Sequence, residues 1–333
     1  RRAGRRTYVV VDEVQEITDW QRAIASLHGR EDTHVVIAGS NATLFSGTLA
    51  TKLAGRYATL RVLPLSFAEF EELHSLAGRE ATSALDTFER YRRIGGLPGL
   101  LHTDLSPDLV GQMQRDIYST IALRDIVERY AIRDVGTLEA VSRFAMDNVG
   151  NLVTAKRISD YMRSHRGAGS PDTVVNYLGY LCDAFVVERV DRYDVIGKRH
   201  LQIGSKYYLG DLGLRAGQLG THDRWIGSDL ENLVFHELLR RGYRVSVGTV
   251  GDREVDFVAE QPDGILYIQV CYRVDSEAVR NREVSSLLEI RSAHPKVIVS
   301  MDEVEPGGLS GIRHVNAIEF LRGAPLGAHE ART

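Results

Sequence analysis

Four β-prone residues near the start of the chain run straight into two carboxylates, Tyr8-Val9-Val10-Val11-Asp12-Glu13. An apolar run without polar alternation is the pattern of a parallel strand buried on both faces, and such strands belong to α/β sheets. The following segment fits that demand. Trp20, Ala23, Ile24 and Leu27 fall at helical spacing, and Val35-Val36-Ile37-Ala38-Gly39-Ser40-Asn41 reads as a second strand ending in small polar residues. Strand, helix and strand then form a right-handed βαβ unit. Ligands of open α/β sheets bind beyond the carboxyl ends of the strands, so Asp12, Glu13 and Asn41 are expected together at one edge.

Adjacent carboxylates at a strand end suit nucleotide hydrolysis. The first can hold Mg²⁺, directly or through water, and the second can orient and deprotonate the attacking water. Asn41 is placed to sense a γ-phosphate or that water, and Arg56, after Leu53-Ala54-Gly55, to reach phosphate charge. The same residues also read as a core strand entering an acidic turn, with Arg56 a solvated surface residue.

At this point the chain resembles a family. Val10-Val11-Asp12-Glu13-Val14-Gln15, Gly39-Ser40-Asn41, Leu53-Ala54-Gly55-Arg56, Leu63-Pro64-Leu65-Ser66-Phe67-Ala68-Glu69-Phe70 and Gly95-Gly96-Leu97-Pro98 look like the prokaryotic AAA+-type ATPases whose C-terminal half is a domain of unknown function of the 4143 type. Lys206-Tyr207-Tyr208-Leu209-Gly210-Asp211-Leu212-Gly213, Gly227-Ser228-Asp229-Leu230-Glu231-Asn232 and Glu254-Val255-Asp256-Phe257 follow in the same order. The resemblance implies a P-loop NTPase sheet, ATP and Mg²⁺ as ligands, Asp12 on the metal, and Glu13, Asn41 and Arg56 as catalytic groups. An arginine acting in trans would make the protein a homo-oligomer. One departure stands against these matches: no G-x-x-x-x-G-K-[ST] occurs in the sequence, although the resemblance places that loop upstream of the acidic strand. The amides that cradle phosphate, the lysine and the Mg²⁺-binding hydroxyl are therefore not supplied by these residues, and the chain reads as a fragment that binds ATP poorly.

Charge and cysteine usage exclude some classes. A net charge of -4 over 333 residues gives no global attraction to nucleic acid or anionic membrane. Cys182 and Cys271 are too few for a disulfide framework, and no apolar run is long enough to span a bilayer, so the cytoplasm is the default. His236-Glu237-Leu238-Leu239-Arg240 lacks the second histidine of a zinc-protease helix.

Beyond the βαβ unit a strand is expected over Leu60–Leu65, then a helix from Phe67 under the S-x-x-E capping box of Ser66 and Glu69, and a helix from Ser83 to Arg93. The Gly95-Gly96 turn closes a partial ATPase domain, 1–98. A long amphipathic helix from Pro107 to about Tyr130, with Met113, Ile117, Ile121 and Ile126 inward, leads into helices at Thr137–Asn148, Ala155–Ser164 and Ser170–Cys182. Strands at Phe185–Asp191 and Lys206–Leu209 complete a winged-helix-like pattern within 99–224. Arg192, Lys198 and Arg199 at its tip could lie along a DNA backbone, although the third helix offers no cation for base edges.

The remaining part, 225–322, reads as a separate α/β unit before a tail, 323–333. A helix starts at Ser228, strands follow at Tyr243–Val247, Glu254–Ala259 and Ile265–Cys271, then a helix at Glu277–Arg291 and a strand at Lys296–Met301. That is the order of the restriction-endonuclease-like fold. An active site of that kind needs an acid on one strand and acid-x-lysine on the next. Asp256 supplies the first, but the next strand offers Gln269 and Cys271, and Glu231 reads as part of a capping box opened by Ser228. The site is expected to be degenerate. The reading is an AAA+-type ATP-binding protein, with a metal-dependent nuclease or a non-catalytic interaction protein as rival classes.

Overall fold

The structure is a computed structural model describing residues 6–30, 32–42, 56–78, 83–101, 106–165, 170–274, 276–304 and 311–326. At the N-terminal end β1 (Thr7–Val11) pairs in parallel with β2 (Thr33–Ile37), connected through α1 (Trp20–His28). The expected βαβ unit is thus present, but its strands are not buried on both faces. Val14, Trp20 and Ile24 form a small core with Val11, Val35 and Ile37, while Tyr8, Val10 and Val36 point outward at 66%, 72% and 55% exposure. The physical reason is that, among the described residues, α1 alone covers this two-stranded sheet, so the apolar run alternates in burial as any half-covered sheet does.

Leu60–Leu65, read as a strand, has no regular structure. Its backbone and side chains are secured elsewhere: Leu65 N–H donates to Gly96 O at 2.8 Å, Arg240 donates to Pro64 O at 2.7 Å, and Arg61 forks onto Glu188. Next comes α2 (Phe67–Leu76), started by the anticipated capping box. Glu69 N–H donates to Ser66 Oγ at 3.1 Å and Ser66 N–H to Glu69 Oε2 at 2.7 Å, an arrangement worth about 1 kcal/mol. Phe67, Phe70, Phe88 and Tyr91 pack as tilted and edge-on rings between α2 and α3 (Ala84–Ile94).

The long helix is α4 (Pro107–Ile117), a π-helical stretch Tyr118–Arg124, and α5 (Asp125–Arg129) in one path. Three helices follow, α6 (Val135–Asp147), α7 (Ala155–His165) and α8 (Pro171–Asp183), and then the hairpin β3 (Val187–Asp194) and β4 (Arg199–Leu209). An isolated bridge joins Val153 to Ser205 on β4. A short helix that periodicity did not reveal, α9 (Leu212–Leu219), is capped by Asp211 and leads to α10 (Ile226–Arg240).

The last part contains β5 (Arg244–Val250), β6 (Arg253–Gln261), β7 (Gly264–Val270), α11 (Glu277–Leu288), β8 (Lys296–Ser300), β9 (Arg313–Asn316) and α12 (Ala317–Leu321), the final two unread from sequence. Seven strands form one sheet in the order β4-β3-β5-β6-β7-β8-β9. Parallel pairing of Arg192–Asp194 with Val247–Thr249 joins hairpin and C-terminal strands, so the sheet crosses the position near Trp225 where a separate unit was expected to begin. A continuous apolar core runs from Phe67 to Leu326, which is fully buried just inside the expected tail. A buried ionic junction ties helices around it. Arg92 on α3 donates to Asp229 on α10 at 2.8 Å, Arg215 on α9 reaches the same carboxylate, and the Arg215 guanidinium lies 4.4 Å from the centre of the Trp225 ring.

Candidate functional site

Two groups of polar residues stand out. The first lies at the carboxyl ends of β1 and β2. Chain reversal after β1 puts Glu13 in the left-handed region, φ 44° and ψ 47°, a conformation that costs a residue with a side chain and is often retained at functional positions. Asp12 turns back to accept the Glu13 N–H at 2.9 Å. Glu13 Oε2 accepts from Ser40 Oγ at 3.3 Å and from Gln15 Nε2. Asn41, next to Ser40, is buried. The structure therefore links Glu13 to Ser40, the residue before Asn41 in the segment following β2. Arg56 is exposed in the irregular segment before α2, and Leu53-Ala54-Gly55 lies outside the described residues.

The second group is built around Lys206, which sequence reading did not single out. Lys206 and Tyr208 stand two apart on β4 and so share a face. Lys206 is 2% exposed; its Nζ donates to Glu231 Oε1 at 2.8 Å and to Asp256 Oδ1 at 3.4 Å, and forms an ion pair with Glu254 Oε1 at 2.7 Å. Tyr208 Oη donates to the same Glu231 oxygen at 2.6 Å. Gly150, at φ +74°, gives this carboxylate its room, because a Cβ there would lie 2.8 Å from Glu231 Oε2. Burial alone would pull the ammonium down, but the three carboxylates outweigh it and hold Lys206 above the ordinary lysine range. Burial pushes the Asp256 carboxyl up, Glu231 adds to that push, and Lys206 opposes it.

Glu231 thus does not cap α10. The helix begins at Ile226, Ser228 Oγ donates back to Trp225 O at 2.9 Å, and one turn later the Glu231 side chain points at the sheet. Gln269 lies beside Asp256: its Oε1 accepts Asp256 N–H at 3.4 Å, while its Nε2 donates to buried Glu283 Oε2 at 2.8 Å. The other Asp256 oxygen accepts Val270 N–H at 2.9 Å. Cys271 is buried against a different apolar cluster, and burial, aided by Glu283, pushes its thiol up to about 12. Asp256 and Glu231 are therefore brought together, with Gln269 alongside and Cys271 turned to packing. The signals that could have revealed the rest were the two i, i+2 pairs, Lys206 with Tyr208 and Glu254 with Asp256. Among the described residues no group of three His, Cys, Asp or Glu is arranged to hold a metal ion, and no helix is long and apolar enough to cross a membrane.

The hairpin tip carries the third set of anticipated residues. Lys198 is exposed at φ 50° in the turn, Arg199 Nε lies 3.5 Å from Asp194 Oδ2, and Arg192 is half-buried.

Comparison with known proteins adds two domain matches. An AAA domain matches residues 1–71, and a domain of unknown function (DUF8612) matches residues 85–224. The second differs in type and position from the C-terminal domain that the resemblance had implied. An "Uncharacterized protein" of Haemophilus influenzae is 36% identical over 315 residues, 94% of this chain and 77% of its own length. "Uncharacterized protein MJ1544" of Methanocaldococcus jannaschii is 27% identical over 308 residues, 88% of this chain and 68% of its own. The crystal structure of protein VC1899 from Vibrio cholerae overlays 95% of this chain and 89% of its own at 12% identity, and its TM-score of 0.21 assigns no fold.

Proposed function

The chain belongs to the same family as the Haemophilus influenzae relative and has an AAA-like N-terminal region, and on that premise we propose that it takes part in Mg²⁺-dependent ATP hydrolysis. The observation that supports this reading is the hydrogen bond between Ser40 and Glu13, with Asn41 next in the chain, beyond two parallel strands. Asp12, an exposed carboxylate, is a suitable hard oxygen donor for Mg²⁺. The phosphates are a different matter: these residues include no glycine-rich loop with its lysine, so a nucleotide needs that cradle from elsewhere.

When bound, MgATP supplies the polarised γ-phosphoryl group. Glu13 Oε2 takes the proton of the attacking water, held toward it by Gln15 Nε2 and Ser40 Oγ. Asn41 orients the water or senses the phosphate, and Arg56 neutralises charge. In calorimetry with MgATP, residues 1–333 alone are expected to show no saturable binding, while a longer chain with a phosphate-binding loop ahead of Thr7 binds and hydrolyses it. Micromolar affinity in the shorter chain would contradict this division of labour.

A second reading concerns the C-terminal part. Helix, three strands, helix and strand, with Asp256 and Glu231 facing one another across Lys206, support a restriction-endonuclease-like unit that no longer cuts. The motif acid is replaced by Gln269, whose amide is engaged with Glu283.

A further inference from the structure

We propose that the cavity between the Gly95-Gly96 turn and α10 is a binding site for one water molecule, held by His236 Nδ1 and by polar groups of the facing segment. The inference is independent of the ATPase reading. The cavity has a volume of about 20 Å³, room for one water and little more. Tyr91, Gly95 and Gly96 line one side of it, and Asp211, His236 and Arg240 line the other. The glycines offer no side chain to fill it, and none can be added. A Cβ on Gly95 would overlap the Asp211 carboxylate, and one on Gly96 would lie 2.5 Å from Leu65 O.

His236 supplies the observation that calls for a ligand. It is 6% exposed, and its Nε2 lies 2.5 Å from Leu209 O, which also accepts from Asn232 Nδ2 at 3.3 Å. A carbonyl oxygen only accepts, so Nε2 carries the ring proton and Nδ1 the lone pair. Nδ1 is buried and has no hydrogen-bond partner among the described residues. A buried acceptor without a partner bears the full cost of its desolvation, and ordered water is the usual remedy. Burial also pulls the imidazole down to about 4, which keeps that lone pair available at neutral pH.

The neighbouring polar groups decide which ligand fits. Asp211 accepts Gly96 N–H at 2.6 Å on one oxygen and Gly213 N–H at 2.7 Å on the other. A carboxylate has about four acceptor positions, so two remain. Tyr91 Oη donates to Leu65 O at 2.6 Å and keeps its own lone pairs. Arg240 donates to Pro64 O at 2.7 Å and to Glu237 Oε2 at 3.3 Å, with N–H groups to spare. An anion would meet the His236 lone pair and the Asp211 carboxylate, and a cation would meet the Arg240 guanidinium. Water is neutral and both donates and accepts, so it suits all three. In this place it joins the segment leaving α3 to α10.

The test is a crystal structure of the full chain that resolves ordered water, together with magnetic resonance in solution. One peak of density should lie within hydrogen-bond distance of His236 Nδ1 and of at least one of Asp211, Tyr91 and Arg240. Nuclear Overhauser transfer from a long-lived water should reach the methyl groups of Leu233, which borders the cavity. His236→Gln puts an amide N–H where Nε2 was, so the bond to Leu209 O is kept while the Nδ1 acceptor is lost. In that variant the peak and the transfer should both disappear. If His236→Gln does not fold, the two measurements on the parent decide alone. An empty or collapsed cavity in the parent, an ion in place of water, a peak out of contact with Nδ1, or a water retained unchanged in His236→Gln would overturn the proposal.

Discussion

Glu231 illustrates how much a single side chain's role depends on contacts distant in sequence. Its spacing from Ser228 reads as a capping box, yet its carboxylate meets Lys206, 25 residues earlier, and Tyr208. Periodicity places residues on faces but does not say which faces meet, so the partnership of β4, α10 and β6 lay beyond it. Asp256 was legible through the resemblance, as an acid in an apolar strand that must have a partner. The nature of that partner, a buried lysine, was not. The consequence is chemical: with Lys206 between the carboxylates and Gln269 committed to Glu283, the unit should not cleave supercoiled or linear DNA, or RNA, in Mg²⁺ or Mn²⁺. Cleavage by the parent that disappears in Asp256→Ala would show an active site instead.

At the scale of elements, local signals served best where they are local in physics. The Ser66–Glu69 box and the Ser83, Ser106, Ser170 and Ser276 caps all start helices in the structure. The Gly95-Gly96 turn was legible as a turn, but its anchor was not. Gly96 N–H donates to Asp211 at 2.6 Å, and a Cβ on Gly95, at φ +84°, would overlap that carboxylate. Asp211 and His236 line one small cavity with opposite proton linkage. Burial pulls the His236 imidazole down to about 4, so its contribution to stability is present above about pH 6.5 and is lost as pH falls toward 4. Burial pushes the Asp211 carboxyl up to about 6, so its contribution is present at low pH and is lost as pH rises toward 6. In urea unfolding at pH 7 and pH 5 the two should offset in the parent. Asp211→Asn should steepen the acid loss to roughly 2 kcal/mol, and His236→Gln should reverse it to a gain of roughly 1 kcal/mol. Equal pH responses in all three proteins would remove these groups from the linkage.

The β3–β4 hairpin permits a separate test. Asp194 accepts Gly197 N–H at 2.9 Å and so fixes the turn that exposes Lys198 and Arg199. Any DNA affinity should fall, with a shallower salt dependence, when both are changed to Glu, because fewer phosphate contacts release fewer counterions. Unchanged affinity and slope would exclude the tip as the contact.

Across the whole molecule, the α/β class and the order of most elements were legible, whereas their assembly into one sheet was not. Pairing of β3 with β5 is set by packing on the common core, and nothing in either strand's own pattern announces it. The opposite error occurred at β1, where an unbroken apolar run implied cover on both faces and the structure covers one. The chain divides in the same way: an AAA-like N-terminal region, for which ATP hydrolysis is proposed, and a C-terminal cluster closed around its own lysine. The most direct test of the central claim is steady-state hydrolysis and MgATP binding in a longer chain that carries a phosphate-binding loop, with and without Glu13→Gln. The substitution is expected to retain binding and abolish turnover, since it removes a base and no phosphate contact. Turnover equal to the parent's would contradict that claim.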